Sequence, residues 1–369
     1  MYDKVCKDRD EEDRPPYFKF LTILAFNIFW RENVDVAIIE VGIGGEYDCT
    51  NIIPRPVVTG ITSLGLDHTS LLGNTITDIA WHKAGIMKRG VACYVDPHQK
   101  DEALEVIRQR GRELGGLPSL VPPLGDLSWP GGSPPKLGLY GEVQQHNASL
   151  ALALASHFLS VTGAADSGDI PEVSEAVVRG LELTEWPGRS QTVVRGGASF
   201  YLDGAHTEES MESCVAWFRD TATRAVDTRP VCRVLVFNTT GDREVRALLA
   251  PLARLQLDLV IFTTNIARGS DSATADQTNY NTNYQMQLSR CDTHARVWAQ
   301  LSRAVPSVTV ACFDDAISWV TAAHCPQLRR EEYRAPGHAP PPQLARADTV
   351  EVLVTGSLHL VGGVLGFIS

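Results

Sequence analysis

Apolar and polar positions along this chain fall into blocks whose period switches repeatedly between helix-like and strand-like. Tyr17 to Trp30 puts Phe18, Leu21, Ala25, Ile28 and Phe29 on one helical face, which predicts a core helix packed on a sheet. Pro15 and Pro16 mark its start. Asp35 to Val41 is a short, nearly unbroken apolar run containing Glu40 and followed by Gly42, Gly44 and Gly45. Such a run predicts a parallel strand that delivers a carboxylate to its C-terminal edge. Val57 to Ser63 repeats the pattern, and its exit loop carries Asp67 and His68. A helix over Thr75–Ile86 brings Lys83, and a strand follows over Val91–Val95. Asp101–Leu114 reads as a solvent-facing helix, Leu117–Lys136 as a Pro- and Gly-rich loop, and Gly141–Val161 and Asp169–Leu181 as helices.

The segment Thr184–Gln191 reads as a hinge. Beyond it, strand-like runs at Ser199–Leu202, Arg233–Phe237, Asp258–Thr263, Thr309–Phe313 and Val350–Thr355 alternate with helical runs. The helical runs are Met211–Phe218, Val245–Arg254, Arg296–Val305 and Asp315–Ala323. Strands separated by helices of this length predict a mostly parallel sheet with right-handed crossovers. Two polar stretches, Arg268–Gln287 and Arg334–Asp348, interrupt the pattern. The fold class is therefore α/β, in two domains spanning 1–183 and 184–369.

Glu40, His68 and Lys83 are thus expected near neighbouring strand ends, where open α/β sheets bind ligands. Magnesium takes oxygen ligands, leaning on one or two carboxylates plus substrate phosphates, so Glu40 suits that ion. Two plainer readings stay open on the residues alone. A Glu at a strand end also caps a helix or pairs with a lysine, and a His after Asp is often a turn residue.

Composition narrows the partners. A formal net charge of −11 argues against a general nucleic-acid or membrane-surface binder, which needs a basic face. It leaves room for anionic substrates in a local basic pocket. Cysteines at 6, 49, 93, 214, 232, 291, 312 and 325 form no CxxC pair, which fits reduced thiols in a cytosol-like compartment. The apolar stretch Tyr17–Trp30 contains Lys19 and is shorter than the roughly 20 residues that span a bilayer.

Several motifs follow one another in a specific order. Glu40-Val41-Gly42-Ile43-Gly44-Gly45 leads into Asp48-Cys49-Thr50-Asn51. Ile61-Thr62-Ser63-Leu64-Gly65 precedes Asp67-His68, and Lys83-Ala84-Gly85-Ile86-Met87-Lys88 ends the block. Gln144 to Ala148, Trp186-Pro187-Gly188-Arg189-Ser190-Gln191, and Tyr201-Leu202-Asp203-Gly204-Ala205-His206-Thr207 follow. Thr355-Gly356-Ser357-Leu358-His359-Leu360-Val361-Gly362-Gly363 closes the series. Together they resemble the folylpolyglutamate synthase branch of the Mur-type amide ligases.

The resemblance implies a P-loop-type Mur ligase central domain followed by a Rossmann-like C-terminal domain. It implies ATP-dependent addition of L-glutamate to the γ-carboxylate of tetrahydrofolate through an acyl phosphate, with dihydrofolate synthase as the nearest alternative. By the same resemblance Glu40 and His68 are magnesium ligands, and Lys83 matches a lysine that is often carbamylated. Asn147, Arg189 and Asp203 match nucleotide contacts, and His206 is a candidate for a direct catalytic role. For Asn147 a helix-face polar residue, and for Arg189 and Asp203 a structural ion pair, remain the plain alternatives. Ser357 and His359 read as structural. Tetrahydrofolate, L-glutamate and ATP are the implied partners of a cytoplasmic monomer, a mitochondrial form being the alternative.

Two departures stand out. No G-x-x-x-x-G-K-[ST] run occurs in the 369 residues, although the family cradles ATP phosphates with one upstream of the segment matching Pro15. The central domain is therefore expected to be N-terminally truncated, and the chain alone is expected not to turn over. A catalytically dead fragment of the family is the corresponding alternative. The second departure is His82, where the family carries an acidic residue before the lysine.

Overall fold

The computed structural model describes residues 15–163, 173–222, 230–241, 243–267, 284–325, 328 and 340–369. The chain divides into two compact units, one of residues 1–136 and 142–182 and one of residues 137–141 and 183–369.

The first unit is built on a three-stranded parallel sheet in the order β1 (Thr59–Ile61), β2 (Ala92–Val95), β3 (Leu117–Leu120). One face is covered by α3 (Ile76–Ala84) and α4 (Asp101–Leu114), which bury Ile79, Ala80, Ala84, Leu104 and Ile107. Ile61, Cys93 and Val95 supply the sheet side of that core. The other face takes α5 (Glu142–Thr162), whose Leu150 and Ala153 pack with Val121. Thr75 caps α3 in a reciprocal capping box with Asp78, an arrangement worth about 1 kcal/mol.

Three sequence expectations fail in this unit. Asp35–Val41 forms no strand, and Val36 and Ile38 are exposed. An apolar run becomes a strand only when a ladder satisfies its backbone groups, and no described strand pairs with this one. The helix α1 (Tyr17–Glu32) forms, but it buries no residue: Phe18, Leu21 and Ile28 stay exposed. It rests on the 3₁₀ turn Cys49–Ile52, where Thr22 Oγ1 lies 3.2 Å from Cys49 Sγ. The predicted loop at Leu117–Lys136 begins instead with β3, because Pro118 occupies an edge strand whose other residues complete the ladder with β2.

The second unit is a six-stranded sheet in the order β4-β5-β9-β6-β7-β8. These strands are β4 (Gln191–Arg195), β5 (Ala198–Leu202), β6 (Val231–Phe237), β7 (Leu259–Thr263), β8 (Ser307–Val310) and β9 (Thr349–Thr355). Only β4 is antiparallel, forming a hairpin with β5 that starts where the segment read as a hinge, Thr184–Gln191, ends. The strands are nearly continuous apolar runs because helices cover both faces. Phe200, Leu202, Val234, Val236, Val352 and Val354 face the helices Phe313–His324 and Leu358–Ile368. Tyr201, Leu235, Phe237, Val260 and Phe262 face the helices Glu208–Ala222, Val245–Leu252 and Tyr284–Leu301. The last helix starts earlier than the predicted Arg296, so Tyr284–Gln287 of the polar stretch is helical, while 268–283 lies outside the described residues. In the second polar stretch, Pro342–Ala345 is a short helix, while 334–339 also lies outside the described residues.

Candidate functional site

Both units gather polar groups at the C-terminal edges of their parallel strands. In the first unit, Asp67 and His68 lie on the exit loop of β1. His68 holds a left-handed backbone (φ 52°) and caps a short helix at Thr69–Leu72. A non-glycine residue there carries strain that its surroundings must hold in place. Asp67 does so: its Oδ1 accepts the His68 backbone N–H at 2.9 Å, and its Oδ2 lies 3.7 Å from His68 Nε2. Gln99 anchors the same loop to the exit of β2, accepting from Leu64 N at 2.8 Å and donating to Thr62 O at 2.9 Å.

Lys83 lies on α3 and is half-buried. Burial pushes its ammonium below the usual lysine value, while the Asp67, Asp48 and Glu40 carboxylates act against that shift. These three acids act on the lysine through their charge, although Glu40 lies outside any described strand rather than at a strand end. Asp48 is not a spare ligand. Its oxygens accept from Ile43 N, Thr50 N and Thr50 Oγ1 at 2.6–2.9 Å, and these bonds lower its pKa despite the opposing effect of burial, the largest single influence.

The glycine turn ahead of Asp48 is tied to the lysine helix. Glu46 N donates to His82 O at 2.7 Å, and a Cβ on Gly45 would sit 2.6 Å from that same carbonyl. Glu46 Oε2 then meets the buried Arg110 at 2.7 Å, and Arg110 lies over the Trp81 ring. The His82 ring packs edge-on against Tyr47 and Trp81. The imidazole that replaces the expected acid is thus part of an aromatic cluster. Asn147, on α5, is half-buried and donates to Gln144 Oε1 at 3.1 Å within its own helix.

In the second unit Asp203 follows β5 and is buried. Its Oδ2 accepts from Ser190 N at 2.8 Å and Ser190 Oγ at 3.1 Å, and its Oδ1 accepts from Ala205 N at 2.9 Å. Burial raises its pKa, while these bonds and the Arg189 charge work the other way. Ser190 holds φ 43°, so the carboxylate fixes a left-handed turn that carries Arg189. Gly204 leaves room for Leu358 and for the Arg189 guanidinium, which a Cβ would meet at 3.4 Å. His206 Nδ1 lies 2.8 Å from Gly204 O, which can only accept, so that nitrogen carries a proton.

The sequence reading missed further buried polar residues. Asn238 and Thr239, just past β6, are buried, as is His294 on the helix Tyr284–Leu301. Asn265 donates to Ser357 Oγ at 3.3 Å, and Thr239 Oγ1 lies 3.1 Å from His294 Nε2. Buried polar residues just past apolar strands were the available signal. Ser357, just past β9, is buried.

No family model matches the chain. Curated relatives do. The chain is 39% identical to "Folylpolyglutamate synthase, mitochondrial" of Bos taurus, a match covering 99% of this chain and 72% of that protein. The chain belongs to the folylpolyglutamate synthase family. The Homo sapiens protein of the same description is 38% identical and 70% covered. A Saccharomyces cerevisiae folylpolyglutamate synthase is 36% identical over 95% of this chain and 61% of its own length. Among solved structures, a Mycobacterium tuberculosis folylpolyglutamate synthase complexed with ADP superposes with a TM-score of 0.67 at 24% identity, covering 96% of this chain and 73% of that one. Escherichia coli FolC in complex with DHPP and ADP gives 0.64 at 23%, covering 96% and 72%. At those identities the structural likeness establishes the fold, and both units described above share it.

Proposed function

We propose that this chain carries out ATP-dependent ligation of L-glutamate to the γ-carboxylate of tetrahydrofolates. The observation that carries the reading is the set of acids around the half-buried Lys83, with Asp67-His68 locked at a strand exit. The folate carboxylate attacks the γ-phosphorus of ATP, giving an acyl phosphate and ADP. The glutamate amine then adds to the acyl carbon and phosphate leaves. Such chemistry depends on positioning and on neutralising phosphate charge.

Glu40 and His68 are the proposed magnesium ligands. The donor types suit a hard cation, since Glu40 brings a carboxylate and both Glu40 and His68 are exposed enough to leave coordination positions for water. When bound, magnesium would neutralise charge on the phosphate oxygens. Lys83 has a second use. Burial favours its neutral amine, the form that reacts with carbon dioxide, and carbamylation would turn it into an oxygen donor.

Arg189 is the proposed phosphate contact of the second unit, held by the turn that Asp203 fixes. Asn147 is the proposed nucleotide contact of the first. His206 is the proposed acceptor of the proton that the glutamate amine loses. The free thiols among the described residues suit a reducing compartment such as the cytoplasm, and the chain is taken as a monomer.

Separate incubations of the chain, joined behind a P-loop-bearing segment of a relative, with tetrahydrofolate plus labelled glutamate and with dihydropteroate plus labelled glutamate test the reading. Product from tetrahydrofolate with equimolar ADP supports it. Product from dihydropteroate alone would assign the chain to dihydrofolate synthesis instead.

A further inference from the structure

Asp96, His98 and His146 form a second polar cluster, away from Lys83 in sequence and unused by the proposed ligation. Asp96 and His98 leave the end of β2, and His146 lies on the first turns of α5, within the same unit. Their donor atoms all lie within 4.8 Å of one another. The carboxylate is 1% exposed. Its Oδ1 accepts the His98 backbone N–H at 2.9 Å and lies 3.0 Å from His98 Nδ1. Its Oδ2 is buried, has no hydrogen-bond partner among the described residues, and lies 4.0 Å from His146 Nδ1.

A buried carboxylate oxygen without a partner is costly and calls for an explanation. The two imidazoles supply one, because they stack face to face, 3.5 Å apart and 4° from parallel, with both Nδ1 atoms turned toward the same carboxylate. Two imidazoles and a carboxylate are a donor set for zinc and its neighbours rather than for magnesium. Zinc binds N and O donors at about 2.0–2.2 Å with tetrahedral angles, so Oδ2 and His146 Nδ1 would have to close by roughly half an ångström to hold an ion between them. The parallel rings would have to splay for both to ligate, and His98, with its side chain about half exposed, has the freedom to turn. A cavity of about 200 Å³ bordered by Pro97, Val121, Pro122, Gln145 and Ser149 opens beside the cluster, with room for a water as the fourth ligand.

We infer that Asp96, His98 and His146 bind a divalent transition ion of the zinc class, joining the exit of β2 to the start of α5. The site is distinct from the Glu40–His68 pair and does not depend on the ligase reading.

The test is titration of the chelator-treated 369-residue chain with Zn²⁺ against a chromophoric chelator, with Co²⁺ as a spectroscopic probe. One equivalent should bind, and the Co²⁺ spectrum should lack thiolate charge-transfer bands. His98→Ala and His146→Ala should each weaken binding by about a hundredfold or more, the scale on which metal sites respond to lost support. Glu40→Gln should leave the affinity unchanged. His98 is exposed, so its variant should fold and keeps the test decisive even where Asp96→Asn does not. The inference fails if the wild-type chain binds no stoichiometric Zn²⁺, if His98→Ala binds as tightly as wild type, or if the Co²⁺ spectrum reports cysteine ligation.

Discussion

Asp203 reaches back 13 residues to Ser190, and its Oδ2 accepts both the backbone N–H and the hydroxyl of that serine. One buried carboxylate thereby holds a left-handed turn at Ser190 and, through Oδ1, the start of the loop toward His206. Hydrogen bonds to a charged group contribute roughly 1.5–3 kcal/mol each, less the cost of burying the charge. Asp203→Ala should therefore cost about 3 kcal/mol in urea unfolding, and Asp203→Asn, which keeps one acceptor, should cost less. Arg189→Ala should leave stability nearly unchanged and act on nucleotide binding instead. A loss below about 1 kcal/mol for Asp203→Ala would show that the turn holds without it.

Lys83 should titrate below the ordinary lysine value of 10.5, because burial outweighs the three acids that favour its charge. Removing an acid removes part of that support, so Asp67→Asn and Glu40→Gln should each lower it further. The folded chain holds its Lys83 proton less tightly than the unfolded chain. Charging the residue therefore costs stability once pH falls below the ordinary value, and that cost is absent above it. Reductive ¹³C-methylation followed by NMR titration reads the pKa directly. A value at or above 10.5, or a rise in either variant, would contradict the assignment.

Much of this was readable in the sequence, for definite reasons. The helix Asp101–Leu114 and the strand ending at Val95 were legible because their apolar periods are set by faces that are in fact buried, while the strand read as Val57–Ser63 shortens to Thr59–Ile61. The loop residues Asp67, His68, Asp203 and His206 could be placed because they follow those runs at once. Asp35–Val41 was misread because composition records an apolar run but not whether a neighbouring strand exists to pair with it. The Asp96–His98–His146 cluster escaped notice because His146 is 48 positions from His98 in the chain, and only the packing of α5 on the sheet brings them together. The same holds for His294, whose partner Thr239 lies 55 positions away.

His294 sets a pH dependence that sequence could not have suggested. It is fully buried between Phe237 and Phe262, and burial, helped by the Arg290 charge, lowers its pKa from 6.5 to about 4. The unfolded chain accepts a proton there that the folded chain refuses. The stability tied to this residue is therefore present above pH 6.5 and is lost as pH falls from 6.5 through about 4. The shift corresponds to about 3 kcal/mol, so the wild type should lose that much more stability than His294→Gln between about pH 7 and pH 4. Parallel curves of stability against pH for the two proteins would overturn the argument.

The account rests most heavily on the grouping of Glu40, His68 and Lys83 as the centre of glutamate ligation. The direct measurement is incorporation of labelled L-glutamate into tetrahydrofolate with Mg-ATP, counting ADP released in the same tube. It is best made on the chain joined behind a P-loop-bearing segment of a relative, with the 369-residue chain alone for comparison. The joined protein should form γ-linked product with one ADP per glutamate, and the chain alone should fall far below it. Glu40→Gln and His68→Ala should each cut the joined protein's rate by on the order of a hundredfold, the scale of losing one preorganised electrostatic group. An inactive joined protein, or one whose rate ignores both substitutions, would contradict the account.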